Sequence, residues 1–381
     1  MKKIVTIIGA RPQIIKAAAI SRAIRNHHSS ELTEILLHTG QHYDDKMSGD
    51  FFNELEIPKP LYNLHVKSSN QGDQTGQMLT GIEEVLIKEK PDALLVYGDT
   101  NSTLAGAIAA VKMQIPVVHI EAGLRSYNKS MPEEINRIVA DHSSTLMFSP
   151  TLAGIQNLQK EGFNVNFTGN FSKDNPGVYH CGDIMLDNSI YFANKCTGKT
   201  LEKYNLAPEN YFLTTVHRPQ NTDNPERLSD IFNTLMAIAD EEDCTMVLPL
   251  HPRTNKMLTE QNPDLWNDLL EHNRVNIIPP ASFLEMIELE SNARFIITDS
   301  GGVQKEAFFF KKPSLILRSE TEWVEICEQN NALLVDADPE KIYNGIQWMK
   351  QEMNPQFDSL FGDGKAAEFI CQKIVSFFNQ Q

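Results

Sequence analysis

Short apolar runs rich in β-branched residues alternate along the chain with segments whose apolar residues recur at helical spacing. The run KIVTIIG is followed by the helix-like IIKAAAISRAIRNH, and the alternation continues through TEILLHTG, DALLVYGD, IPVVHIEAG and TLMFSP. Strands that are apolar on both faces and separated by helices are typical of a parallel sheet covered on both sides. The first part of the chain is therefore predicted to be an α/β domain.

The alternation is interrupted between residues 164 and 177, where the sequence NVNFTGNFSKDNPG is rich in Asn, Gly and Pro and favours a linker between domains. It resumes with YFLTTVHR, TMVLPLHP, VNIIPP, RFIITDS and PSLILRS. Residues 366–378 have the pattern of an amphipathic helix that could pack on either domain. The predicted fold class is α/β, with two Rossmann-like, doubly wound parallel-sheet domains.

Length, composition and charge agree with this fold and narrow the class of partner. The chain has 381 residues, which suits two domains better than one core, and 41% of them are hydrophobic and 22% charged, as in globular proteins. The net charge of −16 argues against a nucleic-acid or anionic-membrane partner, which would require a basic surface. The net charge does not exclude an anionic small ligand, since a few local Arg and Lys side chains suffice to bind one.

The cysteines and the N-terminal residues argue against further classes of protein. Five scattered cysteines without a C-x-x-C pair support neither a disulfide framework nor a zinc site, and no cluster with metal-ligand spacing is visible. The apolar run after the first lysines is about five residues long, so it is interpreted as a strand rather than a signal peptide. No apolar stretch approaches the ~18 residues of a membrane span, so a cytoplasmic location is expected.

Polar, charged and Gly residues stand at nearly every predicted strand end, which is where doubly wound sheets bind ligands. In TDSGGVQKEAFF, Ser300 can cap a helix, while Gly301 and Gly302 would let phosphate oxygens reach free backbone N–H groups. Glu306, one turn later, suits a ribose diol, because one carboxylate can accept two hydroxyl hydrogen bonds. The alternative is a plain Ser cap, a Gly turn and a solvated Glu.

The motifs of the common nucleotide folds are missing. Neither a G-x-G-x-x-G after the first strand nor a G-K-[ST] is present, so a nucleotide-sugar enzyme is favoured over a dinucleotide-binding or P-loop protein. Arg11 and Lys16, in GARPQIIK, could reach a diphosphate and stabilise its charge, and Arg218 and Arg318 offer similar cations from the second domain. An ordinary surface role is the alternative for Arg11 and Lys16.

Two carboxylates follow strands of the first domain. Asp99, in VYGDTNST, ends a strand and precedes a helix, so its alternative role is that of an N-cap. Glu121, in HIEAGLR, follows a fully apolar strand and is expected to face a cleft or a partner, with Arg125 as the structural alternative. Both are candidates for proton transfer.

Two further candidates complete an acid–base set. Glu133 lies in the first turn of a predicted helix, where an ion-pair ladder with Arg137 and Asp141 is the alternative. His217 ends the strand FLTTV and has a side chain suited to proton transfer near neutral pH, with a structural histidine as its alternative. Clustered carboxylates would raise one another's pKa toward that of a useful base.

The chain resembles the non-hydrolysing UDP-N-acetylglucosamine 2-epimerases over nearly its full length. The resemblance rests on ten motifs in order: GARPQIIK, TGQHYD, YGDTNSTLAGA, HIEAGLRS, MPEEINR, FSPT, GDIMLD, HRPQNT, LHPRT and TDSGGVQKEA. It implies two Rossmann-like domains facing a cleft in the GT-B arrangement, with the C-terminal helix crossing back. The implied domains are residues 1–173 with 365–381, and residues 174–364, and a homodimer is also implied.

The resemblance further implies inversion at C2 of the sugar, by removal of the C2 proton, loss of UDP to give a 2-acetamidoglucal, and re-addition. It implies no NAD, metal or other cofactor. Site roles are carried over residue by residue: Asp99, Glu121, Glu133 and His217 as the acid–base and stabilising set, Arg11 and Lys16 as diphosphate ligands, Ser300, Gly301, Gly302 and Glu306 as the UDP site, Phe283 against uracil, and Gln41 and His42 at a second, activating UDP-sugar site.

Departures from the family pattern put the sugar in doubt. The usual GTRPE start is GARPQ here, the usual TERPE is TEWVE at residues 321–325, and the segment before GDIMLD is long. These features resemble epimerases of UDP-2,3-diacetamido-2,3-dideoxyglucuronate, so that substrate is an alternative to UDP-N-acetylglucosamine. A GT-B nucleotide-sugar glycosyltransferase is the other alternative, because it would share the fold and the DSGG…E site. A hydrolysing epimerase begins differently from GARPQIIK.

Overall fold

The computed structural model describes residues 1–40, 51–68, 70–351, 357 and 359–380. Gln41 and His42, the predicted activator residues, lie outside these ranges. The described chain divides into two compact units, here called the first unit, Met1–Asn188 with Ser359–Gln381, and the second unit, Ser189–Asp358. Each unit contains one sheet, and each is described by itself below.

The sheet of the first unit has seven strands, all parallel, in the order β3-β2-β1-β4-β5-β6-β7. The strands are Lys2–Ile8 (β1), Leu32–His38 (β2), Tyr62–Asn63 (β3), Ala93–Tyr97 (β4), Val117–Ile120 (β5), Leu146–Ser149 (β6) and Gly177–His180 (β7). β4, β5 and β6 are buried along their whole length, because helices cover both faces of the sheet.

Besides the helical residues 51–54, six helices lie in the described part of this unit, and the last one returns from the C-terminus. They are Arg11–Ala23 (α1), Gln71–Glu89 (α2), Asn101–Lys112 (α3), Pro132–Ser143 (α4), Leu152–Lys160 (α5) and Ala366–Gln380 (α16). α1 continues into one π-helical turn, Ile24–His28, and α16 packs against α1. The predicted tail helix is therefore present and packs on the first unit, which removes the choice that its amphipathic pattern left open.

The sheet of the second unit has six parallel strands in the order β10-β9-β8-β11-β12-β13. The strands are Tyr211–Thr215 (β8), Thr245–Pro249 (β9), Val275–Ile278 (β10), Phe295–Thr298 (β11), Ser314–Ile316 (β12) and Ala332–Leu334 (β13). Counted from the first strand of each sheet, both units have the crossover order 3-2-1-4-5-6 of a doubly wound fold, and the first unit adds a seventh strand.

In the described part of the chain, ten further helices connect or flank the strands of the second sheet. They are Ile184–Ala193 (α6), Lys199–Lys203 (α7), Pro219–Thr222 (α8), Pro225–Glu241 (α9), Pro252–Gln261 (α10), Pro263–Glu271 (α11), Phe283–Asn292 (α12), Gly301–Phe309 (α13), Val324–Glu328 (α14) and Pro339–Gln351 (α15). α9 buries Leu228, Phe232 and Leu235 in the apolar core against β8, β9 and β11. The predicted α/β class with two doubly wound parallel-sheet domains is confirmed.

The compact units change at residues 188–189 and 358–359, whereas the sequence pattern and family resemblance put the changes at 173–174 and 364–365. β7 pairs with β6, so residues 177–180 belong to the first sheet. Asp187 then accepts hydrogen bonds from the backbone N–H groups of Ala366 (3.1 Å) and Ala367 (2.8 Å), which ties the start of α16 to the same unit.

The strand order fixes where each unit can bind a ligand. In a doubly wound sheet the loops diverge at the carboxyl ends of the two strands where the order reverses, and this switch point leaves a crevice. The switch point lies between β1 and β4 in the first unit and between β8 and β11 in the second. Among the described helices, none combines the length and the apolar character needed to cross a membrane.

Candidate active site

Asp99 lies at the first switch point, directly after β4. The N-cap of α3 is the next residue, Thr100, whose hydroxyl accepts from the Thr103 N–H at 3.3 Å, so the alternative of an Asp99 cap is wrong. The Asp99 carboxylate instead pairs with the Arg137 guanidinium from α4, and its carbonyl accepts from the Asn136 amide at 2.8 Å. The aspartate is thus held by α4 while its side chain stays partly exposed.

The surroundings of Asp99 raise its pKa above the ordinary value. Burial is the largest cause, and the negative charges of Glu121 and Glu133 act in the same direction. The positive charges of Arg137 and Lys16 oppose the shift without cancelling it. A carboxyl group whose pKa moves upward can take and return protons nearer neutral pH, which is the behaviour expected of an acid–base catalyst.

Glu121 follows β5 with a positive φ of 76°, a backbone conformation that is costly for a residue with a side chain. Its N–H donates to the carbonyl of Phe148 at 2.9 Å, and its carboxylate forms an ion pair with Lys16 of α1. The alternative partner Arg125 is wrong, because its guanidinium pairs with Asp141 and Glu161, at 2.7 Å each. The strained backbone therefore aims a carboxylate at a cation from another element.

Gly98 shows how closely these loops approach each other. It has a φ of 60°, and a Cβ placed on it would lie 3.0 Å from the Glu121 Oε2 and 3.5 Å from the Lys16 Nζ. A larger residue would be strained at this φ and would crowd the ion pair. The loop that carries Asp99 and the Lys16–Glu121 pair consequently form one cluster, here called the carboxylate cluster: Asp99, Glu121, Lys16 and Arg137.

A buried histidine ties both loops of the carboxylate cluster together. His119 Nε2 lies 2.8 Å from the Gly98 carbonyl, and His119 Nδ1 lies 2.7 Å from Asp141 Oδ1. The second oxygen of Asp141 accepts from the Gly123 N–H at 3.1 Å. A carbonyl can only accept, so the His119 Nε2 carries a proton and donates it to the Gly98 carbonyl. The pairing of His119 with Asp141 was not predicted from the sequence.

Glu133 is exposed at the start of α4, and the ion-pair ladder offered as its alternative is wrong. Arg137 pairs with Asp99 and, at 3.2 Å, with Glu134, while Asp141 pairs with His119 and Arg125. The neighbouring Glu134 is the buried one, and it accepts from the backbone N–H groups of Ser126 (2.8 Å) and Tyr127 (3.0 Å). Glu133 therefore acts on the carboxylate cluster only through its charge.

The two predicted cations of the first unit differ in their environment. Arg11, the first residue of α1, is exposed, and its guanidinium lies 5.1 Å from the ring centroid of Phe51. Lys16, one turn later, is 9% exposed and paired with Glu121. Arg11 is thus open to a ligand, whereas Lys16 is already held beside a carboxylate.

Asp299 organises the second switch point. It is fully buried after β11, and its two oxygens accept from the backbone N–H groups of His217 (3.1 and 3.0 Å) and Arg218 (2.9 Å) and from the side-chain amide of Asn221 (3.2 Å). The His217 Nδ1 is 3.3 Å from Asp299 Oδ1. A predicted candidate, His217, is therefore oriented by a residue that the sequence analysis did not single out.

His217 also has a second histidine beside it. The rings of His217 and His251 lie 5.3 Å apart. Burial and the charge of His217 lower the pKa of His251, with Arg253 acting in the same direction and Asp299 opposing it. His251 has a structural role, because its ring nitrogen accepts from the Arg253 N–H at 3.2 Å and caps α10.

The start of α13 carries the features of an anion site. Ser300 caps the helix as predicted, with its hydroxyl 3.5 Å from the Val303 nitrogen. A Cβ on Gly301 would overlap the carboxylate of Glu322, so the glycine is needed for the close approach of an anionic oxygen. Glu322 is held there by Arg318 at 2.7 Å and Arg218 at 3.8 Å. We call Arg218, Ser300, Gly301, Arg318 and Glu322 the anion cluster.

The charges of the anion cluster keep Glu322 ionised. Burial acts to raise its pKa, but a hydrogen bond from its own backbone N–H and the charges of Arg318 and Arg218 hold the pKa below the ordinary value. A carboxylate thus occupies the position at a helix N-terminus where phosphate was predicted. Sequence reasoning missed Glu322, although TEWVE was noted as a departure.

The remaining predicted residues of the second unit lie near this helix. Glu306 is half-buried on α13. A Cβ placed on Gly302 would be uncrowded and would lie 4.0 Å from the Glu306 Oε2. Phe283, the first residue of α12, is 5% exposed and packs edge to face on Phe192 with centroids 5.6 Å apart. Only a small part of the Phe283 ring is open to a base. Within the described ranges, no three His, Cys, Asp or Glu side chains are grouped to hold a metal ion.

The fold and these two clusters define a class, an α/β protein with paired carboxylates at one switch point and two arginines beside a capped helix N-terminus at the other. The family model described as UDP-N-acetylglucosamine 2-epimerase matches residues 23–375, and the chain belongs to that family. It is 45% identical to the UDP-N-acetylglucosamine 2-epimerase homolog of Methanococcus maripaludis, over 98% of this chain and 99% of the relative.

Two other similar proteins bear on the substrate. The UDP-2,3-diacetamido-2,3-dideoxy-D-glucuronate 2-epimerase of Pseudomonas aeruginosa is 44% identical, over 98% of this chain and 99% of the relative. A crystal structure of the Methanocaldococcus jannaschii UDP-GlcNAc 2-epimerase, in complex with UDP-GlcNAc and UDP, has a TM-score of 0.81 and 38% identity, covering 98% of this chain and 99% of that one. The predicted family is therefore confirmed, and with it an epimerase activity.

Proposed function

We propose that the protein inverts C2 of UDP-N-acetylglucosamine to give UDP-N-acetylmannosamine, without net hydrolysis. The observation that carries this proposal is the carboxylate cluster, in which Asp99 has a raised pKa and Glu121 is held on a strained backbone beside Lys16. Proton removal next to a carbon that loses its leaving group needs such an acid–base set, and a simple binding site does not.

The chemistry assigned to the carboxylate cluster is elimination and re-addition. A carboxylate takes the C2 proton, the C2–H electron pair forms the C1=C2 double bond of a 2-acetamidoglucal, and the C1–O electron pair leaves with UDP. In the return step UDP adds to C1 and a proton is delivered to the opposite face of C2. Asp99 and Glu121 supply the acid and the base, and Glu133 contributes charge. Arg11 and Lys16 stabilise the negative charge of the departing diphosphate.

The anion cluster holds the nucleotide in this proposal. A phosphate group replaces the Glu322 carboxylate at the start of α13, where it meets Arg218, Arg318 and the free N–H groups of Gly301 and Gly302. Glu306 accepts from the ribose hydroxyls. His217 is held by Asp299 and is the neighbour of Arg218 in the sequence. It protonates or stabilises the leaving diphosphate.

Three features of the proposal come from the sequence alone. A homodimer, a cytoplasmic location and a role in polysaccharide biosynthesis stay predictions. The activating UDP-sugar site at Gln41 and His42 also stays a prediction. The contact of Phe283 with uracil rests on the small open part of its ring.

A second candidate substrate is UDP-2,3-diacetamido-2,3-dideoxyglucuronate. It is favoured by the 44% identity to the Pseudomonas aeruginosa epimerase that bears this name, close to the 45% identity of the first relative. The reaction at C2 is the same for both sugars. They differ at C3 and C6, so substrate choice depends on the groups that contact those two positions and not on the chemistry at C2.

Proton NMR of each UDP-sugar with the purified protein in deuterated water tests the proposal. Deuterium at C2, together with a manno-configured UDP-sugar, is the expected result with UDP-N-acetylglucosamine. The same result only with the diacetamido-uronate would assign the second substrate. UDP with free N-acetylmannosamine would indicate a hydrolysing enzyme. Unchanged spectra with both sugars would contradict the epimerase and favour the glycosyltransferase alternative.

A further inference from the structure

Glu290 is a buried acid with no role in the proposed mechanism so far. It lies near the end of α12, is 0% exposed, and neither of its carboxyl oxygens meets an N–H or O–H donor among the described residues. A buried carboxylate without donors is strongly disfavoured, because it has lost water and gained nothing in return. An acid in this position therefore keeps its proton and needs an acceptor.

The Glu306 carboxylate is the candidate acceptor. α12 and α13 are in contact, and Glu306 is close enough for its charge to act on Glu290. Two carboxyl groups can share a hydrogen bond only if one of them is protonated. Burial, and then the charge of Glu306, raise the pKa of Glu290 well above its ordinary value. The proton therefore resides on Glu290, the more buried partner.

Other charged or titratable groups near the pair are engaged elsewhere. The Tyr211 hydroxyl, from β8, donates to the Leu289 carbonyl at 2.5 Å, and the Glu288 carboxylate accepts from the Thr200 N–H at 3.2 Å. The ammonium of Lys305, next to Glu306 on α13, lies 4.4 Å from the ring centroid of Trp323. After burial, Glu306 is thus the group that acts on the protonation of Glu290.

We propose that Glu290 is a positioning residue, which donates a hydrogen bond to Glu306 and so fixes the Glu306 carboxylate for the two hydroxyls of a nucleoside diphosphate ribose. The ribose role of Glu306 rests on the proposed function. With one lone pair of Glu306 used by Glu290, the remaining lone pairs are oriented for the diol, and the pair carries a single negative charge.

The shared proton makes nucleotide affinity depend on pH. When Glu290 ionises at high pH, it loses its donor and repels Glu306, so UDP affinity falls as the pH rises. Folding stability changes in the same direction. The unfolded chain ionises Glu290 at the ordinary pKa while the folded protein keeps the proton, so stability falls as pH rises between the two pKa values.

UDP affinity, measured by calorimetry from pH 6 to pH 9, tests the proposal with two variants of similar volume. Glu290→Gln keeps a donor and has no charge, so its affinity at pH 6 should lie within about twofold of wild type and should fall less than that of wild type toward pH 9. Glu290→Leu keeps neither donor nor charge and should lose about tenfold. Wild type should weaken toward pH 9. Equal affinities for all three proteins at every pH would overturn the proposal.

A double-mutant cycle separates positioning from general support of the fold. In the Glu306→Ala background, Glu290→Leu should cause no further loss of UDP affinity, because Glu290 acts through Glu306. A further tenfold loss there would overturn the proposal and indicate a structural role. Thermal unfolding of Glu290→Gln serves as a fold control, and should show a gain over wild type at pH 8 that disappears near pH 4.

The outcomes distinguish this inference from the proposed function. If wild type binds UDP and all variants match it, only the role of Glu290 fails. If wild type itself does not bind UDP at any pH, the nucleotide assignment of the anion cluster fails, and the inference fails with it.

Discussion

The two units share a crossover order, but their switch points place an aspartate in opposite situations. In the first unit, Asp99 is partly exposed, paired with Arg137 and shifted to a raised pKa. In the second, Asp299 is fully buried and its oxygens are occupied by the N–H donors of the loop that follows β8. Asp99 is open to a ligand, whereas Asp299 holds the loop of the neighbouring strand.

This difference corresponds to different proposed roles for the two units. The carboxylate cluster places two acids, Asp99 and Glu121, among the cations Lys16 and Arg137, so protonation states there respond to small changes in charge. The anion cluster instead offers cations and free N–H groups at the start of α13, which bind a fixed negative charge. In the proposed function, the same fold thus presents reactive groups at one switch point and a nucleotide-holding site at the other.

The largest expected effect comes from removing the charge of Asp99. Asp99→Asn should lower the rate of epimerisation on the order of 10³-fold, because an amide cannot exchange a proton at neutral pH. Initial rates from coupled assay or NMR measure it. Asp92→Asn is the matched control, since Asp92 precedes the same strand, β4, and pairs with Lys2 at the opposite end. A rate within tenfold of wild type would remove Asp99 from the acid–base set.

The next effect is on stability. Asp141→Asn replaces a buried carboxylate that is bound to His119, Arg125 and the Gly123 N–H. The substitution should lower the free energy of unfolding by about 3–5 kcal/mol. Chemical denaturation at pH 7 measures this cost. The exposed Asp174→Asn, in the same unit, serves as the control. A loss below about 1 kcal/mol would show that the His119–Asp141 pair does not secure the two loops.

The pH dependence of the Asp141 contribution has a defined sign. Burial acts to raise the pKa of Asp141, but the charges and hydrogen bonds of His119 and Arg125 hold it below the ordinary value. Its stabilisation is complete above the unfolded pKa of about 4 and is lost as pH falls through the lower folded value. Wild type should therefore lose more stability than Asp141→Asn between pH 5 and pH 2.

A smaller effect is expected at the nucleotide-holding switch point. Glu306→Ala should weaken UDP about tenfold in calorimetry, since it removes the acceptor for two ribose hydroxyls. Turnover at saturating substrate should change less than affinity. Unchanged UDP affinity would contradict the ribose assignment, and an equal loss in turnover would place Glu306 in the chemistry instead.

The smallest effect tests Glu133, which is exposed. Its negative charge raises the pKa of Asp99, so Glu133→Gln should lower that pKa and move the acidic limb of log kcat/KM to lower pH, by roughly half a unit at most. The shift should shrink in high salt, because an exposed charge is screened. Movement of the limb to higher pH would contradict the described electrostatics of the carboxylate cluster.

The fold could be predicted from the sequence because its strands are apolar on both faces and its helices are periodic. Even Ser300, as the cap of α13, follows from local chemistry. The two-residue strand Tyr62–Asn63 and the π-helical turn Ile24–His28 could not be predicted, because neither is long enough to produce a pattern. The pairing of β7 with the first sheet depends on tertiary contact and not on its own sequence.

The candidate site was only partly visible in the sequence. The rule that ligands bind at strand ends singled out Asp99, Glu121 and His217. Their partners could not be derived, because Lys16 with Glu121 and Asp299 with His217 join segments that are distant in the chain. Arg125 was weighed as a partner of Glu121 for its nearness in sequence, but in the structure it reaches Asp141 on α4.

The proposed roles of the two clusters, proton transfer in one and nucleotide binding in the other, are tested most directly by Glu121→Gln, with two measurements on one protein. Deuterium incorporation at C2 of the UDP-sugar measures the proton chemistry, and calorimetry with UDP measures nucleotide holding. We expect exchange to fall by at least about 100-fold while UDP affinity stays within about twofold of wild type. Exchange at the wild-type rate, or a parallel loss of exchange and UDP affinity, would contradict the account.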